Sequence, residues 1–345
     1  MNDNLDKLLI DKIFEKLPSD VNPVDYLMNV LHISRKSIYR RKKGELPFSF
    51  DEIVILSKEL DFSIDELIAI DNENQAIFTH KADTLFDQKE TFISMLDKYL
   101  EFYKKAAQAK SYEGVFTMNR ILLIYALNTT HLFKFLYYMW IYQGHHIPLN
   151  FRYSEMILPP EILALSKKVW EYVRSVGNTT IILNELIFKN IFNEITYYYQ
   201  KELLTSGEYI QLKDELLAYI KQLEVVVSLG TNNYGSNYAI YLSKLSIESN
   251  SCYYKIDDNI ESSFWVFGIS PIHTNNNFVP TSHKKWIDSL KKYSILISQS
   301  NELLQSKFFN EQYNYIAKAS ANLLNDYDSE RNAVNLCSSV ARKDF

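Results

Sequence analysis

The sequence predicts a mainly α-helical protein in two parts. These are an N-terminal five-helix helix-turn-helix domain and a large helical C-terminal domain with a small antiparallel β-meander at about 238–269. Three observations predict it. Gly and Pro number only 8 each in 345 residues, against roughly 12% together in average usage, so sandwiches, barrels and glycine-cradled nucleotide folds are excluded. Apolar residues recur at helical spacing through most of the chain. The length of 345 residues exceeds one ordinary domain and suggests two.

The elements follow in order. Leu5, Leu8, Leu9, Ile13, Phe14 and Leu17 share one helical face, and Pro18 ends the run. Asn22 caps a short helix bearing Tyr26, Leu27, Val30 and Leu31, and Ser34 caps another that runs to Gly44. Ser49 with Glu52, and Ser63 with Glu66, read as capping boxes for two more. Residues 1–70 thus form one small helical domain. The polar stretch 71–83 is its linker, with a short strand expected at 76–80. Residues 84–345 form the second domain. Its segment from Lys89 to Leu229 reads as helical, broken near Gly114, Gly144–Pro148, Pro159-Pro160, Gly177 and Gly207. The period then shortens: Tyr238–Ile247, Ser251–Asp257 and Ser262–Ile269 are aromatic and β-branched and read as the three-stranded meander. Helical spacing returns at 282–298 and at 301–324. No repeat of solenoid length occurs.

Charge locates the function. The whole chain carries a net −5, which excludes a polybasic coat, so any nucleic-acid contact must come from a local patch. Residues 35–43 supply that patch: Arg35, Lys36, Arg40, Arg41, Lys42 and Lys43, with no acid among them. The rest of residues 1–70 holds 4 basic and 13 acidic side chains. Positive charge is therefore focused on one helix of an acidic domain, as a major-groove recognition helix requires.

The run Leu31-His32-Ile33-Ser34-Arg35-Lys36-Ser37-Ile38-Tyr39-Arg40 followed by Gly44 resembles the turn, recognition helix and closing glycine of the Xre/Cro (lambda-repressor-like) helix-turn-helix family. The resemblance covers residues 22–69. It implies a sequence-specific DNA-binding transcriptional regulator, with Ser34, Arg35, Lys36, Ser37 and Tyr39 facing the groove and Arg40 close to the backbone. Lys42 and Lys43 complete the expected DNA-binding set. Two residues depart from the family pattern: His32 stands where Gly is usual in the turn, and Met28 where Ala is usual. The remainder resembles the large C-terminal part of uncharacterised predicted regulators common in Bacteroidetes, through Trp286-Ile287, Leu290, Ser294-Ile295-Leu296-Ile297-Ser298 and Phe308-Phe309. That likeness carries no activity with it.

Other chemistry is sparsely signalled. There is no Gly-x-Ser-x-Gly and no Walker lysine loop, so no catalytic residue is assigned and no enzyme is expected, although triads are defined in space. His131, His145 and His146 lack further ligands at zinc spacing, so neither metal nor cofactor is expected. His273 and His283, flanking Asn275-Asn276-Asn277, mark a polar ligand site as an alternative reading. Cys252 and Cys337 are the only cysteines and form no CxxC, which suits a reducing cytoplasm. The acidic N-terminus reads as no signal peptide, and Asn128, Thr129, Thr130, His131 and Lys134 interrupt the most apolar stretch, so no membrane span is expected. Expected partners are double-stranded DNA and a second copy of the chain, because one recognition helix contacts only a few base pairs. The large domain is read as dimerising, and as sensing a small-molecule or peptide effector or serving as a protein-interaction platform.

Overall fold

A computed structural model describes residues 2–17, 21–60, 62–64, 78, 88–144, 147–275 and 278–340. The chain forms two compact units, residues 1–79 with 274–281, and residues 80–273 with 282–345.

The first unit contains α1 (Asn2–Lys16), α2 (Pro23–Leu31), α3 (Arg35–Lys42) and α4 (Phe50–Glu59). The Asn22 side chain accepts from the backbone N–H of Val24 and of Asp25, and Pro23 fills the first helical position, where no backbone donor is required. Ser49 and Glu52 form the expected capping box. Leu9, Ile13, Val24, Leu27, Leu31, Ile38, Phe48 and Leu56 make the core. The helix expected after Ser63 and the linker at 71–83 with its strand at 76–80 lie outside the described residues, apart from 62–64 and 78.

The second unit corrects the expected fold class. It is not all-α with a small meander; it is a mixed α/β structure built on a seven-stranded sheet. Its elements are α5 (Gln88–Gln108), β1 (Tyr112–Met118), α6 (Leu123–Ala126), α7 (His131–Gly144), a 3-10 turn (Tyr153–Glu155), α8 (Pro160–Val173), β2 (Asn178–Asn184), α9 (Ile187–Gln200), α10 (Ser206–Leu229), β3 (Tyr238–Ser243), β4 (Ser251–Ile256), β5 (Asn259–Phe267), β6 (Ser270–Thr274), α11 (Phe278–Lys292), β7 (Ile295–Leu296) and α12 (Glu302–Val340).

The strand order is β6-β5-β4-β1-β2-β3-β7. β1, β2 and β3 run parallel, with Val115 opposite Thr180 and Thr180 opposite Ala239. Helices carry the chain across each parallel step, as parallel pairing demands. β4 lies antiparallel to β1, and β5 antiparallel to β4. The expected meander is therefore wrong in its pairing. β4 and β5 do form a hairpin turning at Asp257-Asp258, but β1 and β2 lie between β3 and β4.

Side chains alternate across this sheet. Phe116, Met118, Ile181, Leu183, Ile240, Leu242, Cys252 and Tyr254 enter the main core beneath the helices. Val115, Ile182 and Tyr253 face the other way and pack with Ile287 and Leu290 of α11. Both faces of the central strands are thus covered, and this is why β1 and β2 lack a polar alternation in sequence.

Candidate nucleic-acid interface

The α2–α3 corner is built by its caps. His32 ends α2 with φ 55° and ψ 38°, so this His adopts the left-handed conformation that the family pattern gives to glycine. Ile33 follows, partly buried on the core. Ser34 then caps α3, its Oγ accepting from the Ser37 N–H at 3.3 Å. The other end closes on Gly44 at φ 72°. Its N–H donates to the Arg41 carbonyl at 2.9 Å and the Glu45 N–H to the Arg40 carbonyl at 2.8 Å, a Schellman ending. Leu27, Leu31 and Ile38 lock the two helices together through the core.

This frame sorts the eight expected DNA-contacting residues. Arg35, Lys36, Tyr39, Arg40 and Lys43 line one open depression together with Glu45. At about 100° per residue these five positions share one side of the helix. Tyr39 is 48% exposed, so a large aromatic ring is held in solvent at the centre of a basic face. Ser34 and Ser37 are set apart: their hydroxyls lie 3.1 Å from each other at the helix start, in the capping arrangement. Lys42 lies on the flank, its Nζ 4.7 Å from the ring centroid of Phe14 in α1. The structure therefore groups five of the eight and places the other three beside them.

Four side chains outside the expected DNA-contacting set, Arg41, Glu52, Asp25 and Glu45, complete the site. Arg41, the remaining cation of the run, is buried and turned inward. Its Nη2 donates to Glu52 Oε1 at 2.7 Å and to Oε2 at 3.0 Å, and its Nε to Oε2 at 3.1 Å. Glu52 also accepts from the Ser49 N–H at 2.8 Å, so one carboxylate caps α4 and anchors α3. Asp25 of α2 pairs with Arg35. A cation in the first turn of a helix opposes the positive end of the macrodipole, and Asp25 offsets it. Glu45 approaches Arg40 at 3.9 Å between exposed groups, a weak restraint. Lys36, Tyr39 and Lys43 have no ion pair or hydrogen bond to another described side chain.

The two histidines of the alternative polar site are engaged within the protein. His283 is enclosed, with Nδ1 2.8 Å from Ser262 Oγ and Nε2 2.9 Å from Ser251 Oγ, so both ring nitrogens are used internally. His273 Nδ1 lies 2.8 Å from Ser263 Oγ. Asn276 and Asn277, and likewise His145 and His146, lie outside the described residues. Among the described residues no group of three His, Cys, Asp or Glu side chains could hold a metal ion, and no helix is long and apolar enough to cross a membrane. No family model, curated protein or solved structure matches the chain.

Proposed function

We propose that the protein binds double-stranded DNA in a sequence-specific way through α3 and acts as a transcriptional regulator. One observation carries the reading. Arg35, Lys36, Tyr39, Arg40 and Lys43 share an exposed face, while Arg41 is withdrawn into an ion pair with Glu52. A merely solvated basic helix has no reason to divide its cations in this way. The resemblance of residues 22–69 to the Xre/Cro family supports the same reading.

In the proposed complex α3 enters the major groove. Lys36 and Tyr39 reach base edges, since an aromatic ring suits a thymine methyl and short-range donors suit guanine acceptors. Arg40, Lys43 and, from the flank, Lys42 meet phosphates. Ser34 and Ser37 at the helix start lie where recognition helices approach the bases. Binding as a homodimer is part of the proposal, because half-sites about one helical turn apart multiply the few contacts one helix makes. Selection from a random duplex pool tests it. The wild type is expected to enrich one motif, with two half-sites about one turn apart, and Lys36→Ala/Tyr39→Ala to enrich none. A pool left unenriched by the wild type would overturn the reading.

A further inference from the structure

The second unit holds a cavity of about 600 Å³ between the sheet and α10. Its floor is apolar: Ile181 and Leu183 of β2 and Ile240 of β3. Leu223 and Val226 of α10 and Trp170 of α8 add further apolar wall. Its size falls within the range of small-molecule sites. Part of the lining is reached from outside, since Ala218, Val225 and Tyr234 are exposed.

Four tyrosines line this cavity, Tyr125, Tyr219, Tyr234 and Tyr238, and the first two give it its chemistry. Tyr238 is held by Asn232, through a hydrogen bond between the side chains. Tyr125 and Tyr219 have no hydrogen-bond partner among the described residues, although burial takes both out of bulk water and pushes their pKa values up. Each retains accessible area all the same, and each lines the cavity. Their rings are fixed, Tyr125 edge-on to Phe116 with centroids 5.7 Å apart and Tyr219 edge-on to Phe188 at 6.2 Å. Two immobilised phenols thus stand on the cavity wall with hydroxyls that no described protein group engages, free to donate to a ligand.

Charge narrows the ligand. Among the described residues lining the cavity, Glu215 is the one with an acidic or basic side chain. Its carboxylate is already occupied, accepting from the backbone N–H groups of Thr130, His131 and Leu132 at 2.8, 2.6 and 2.6 Å where α7 begins. No cation lines the cavity among the described residues, and the Arg174 guanidinium stacks on the exposed ring of Tyr234, 4.0 Å from its centroid, so an ion that passes into the apolar interior loses its hydration.

We propose that the cavity beneath α10 binds an uncharged molecule with an apolar, ring-containing body and oxygen or nitrogen acceptors, which Tyr125 and Tyr219 engage as donors. The assignment is independent of α3, and its test uses no DNA. Nile red, neutral and planar with a carbonyl acceptor, is titrated into the full-length protein and followed by its emission, with the anion anilinonaphthalene sulfonate as comparator. The expected result is saturable binding of Nile red at one site per chain and much weaker binding of the sulfonate. Ala218→Trp, which fills the cavity from an exposed helix position, is expected to weaken Nile red about tenfold or more. Tyr125→Phe/Tyr219→Phe keeps the volume and is expected to weaken it about tenfold while shifting emission to the blue. Circular dichroism confirms that each variant is folded. No saturable binding, equal binding of the sulfonate, or Nile red binding indifferent to both variants would overturn the proposal. Loss with Ala218→Trp but none with the phenylalanine pair would overturn the donor role of the phenols.

Discussion

Arg41 and Glu52 join α3 to α4 through a two-point ion pair, with Nη2 to Oε1 at 2.7 Å and Nε to Oε2 at 3.1 Å, beneath the ring of Phe48. Both side chains are largely shielded, 11% and 14% exposed. Removing one partner leaves the other charge nearly buried and unpaired. Arg41→Ala is therefore expected to destabilise the first unit by about 2–4 kcal/mol, and Arg41→Lys by less, because lysine keeps the charge and loses the fork. Hydrogen exchange of the α3 and α4 amides measures this directly. Exchange as slow in Arg41→Ala as in the wild type would contradict the role assigned to the pair.

The contact between Asp25 and Arg35 predicts an effect of the opposite sign on DNA. Asp25 holds one cation of the face and adds a negative charge beside it. Asp25→Asn is expected to tighten DNA binding by about threefold, within the range of an exposed pair, and more at low salt than at high salt. Anisotropy titrations at two salt concentrations, with thermal midpoints to show that α2 stays folded, check this. Unchanged or weaker binding would show that Arg35 does not reach the DNA.

His283 predicts a pH dependence. It packs against Phe264 and Trp286 with ring centroids 4.6 and 6.0 Å away, and burial pushes its pKa down to about 4. An unfolded histidine takes up its proton near pH 6.5. The stability held by the neutral ring is then fully present above about pH 6.5. It is lost as pH falls from there toward 4, by about 3 kcal/mol in all. Carboxylates titrate in the same window, so the comparison with His283→Gln isolates the effect. The variant is expected to be less stable at pH 7 and to approach the wild type as pH falls. A gap constant from pH 7 to 4 would contradict it.

Gly230 ends α10 with φ 67°, and a Cβ there would come within 2.5 Å of Gln299. Gln299 is itself fixed, donating from Nε2 to the Leu229 carbonyl at 2.7 Å with φ 52°. Gly230→Ala is expected to cost about 1–3 kcal/mol from the left-handed backbone and the displaced amide. Urea unfolding followed by tryptophan fluorescence reads this, and an unchanged midpoint would contradict it.

The two units differ in how much of them can be read from sequence. The corner around α3 is legible because its determinants are local. Asn22, Ser34, Ser49 with Glu52, and Gly44 each act within a turn of their own position. His32 was readable as a turn residue, and it takes the positive φ that the turn needs. The division of labour among the cations was not legible, because Arg41 meets Glu52 and Arg35 meets Asp25 only through tertiary packing.

In the second unit β1 and β2 carry no strand signal in sequence, for a physical reason. Val115-Phe116 and Ile181-Ile182-Leu183 are apolar on both faces, since helices cover one side and α11 the other, so the two-residue period is erased. Gly114 and Gly177 then looked like breaks between helices. β3, β4 and β5 were legible as strands, but nearness in sequence suggested a meander. The partners of β3 are β2 and β7, each more than fifty residues away in the chain, and no local signal announces such pairing. The cavity beneath α10 is hidden with it, because its walls come from β1, β2, β3, α6, α8, α9 and α10.

The central claim concerns α3, and the most direct measurement is fluorescence anisotropy of the full-length protein on its own upstream DNA and on scrambled DNA of equal length, at physiological salt. The account predicts preference for the upstream DNA by the wild type. It predicts loss of that preference in Lys36→Ala/Tyr39→Ala, and a salt slope shallower by about two in Lys42→Ala/Lys43→Ala, one unit for each phosphate contact removed. Equal binding of both DNAs that vanishes as salt rises, or no binding even at low salt, would contradict it.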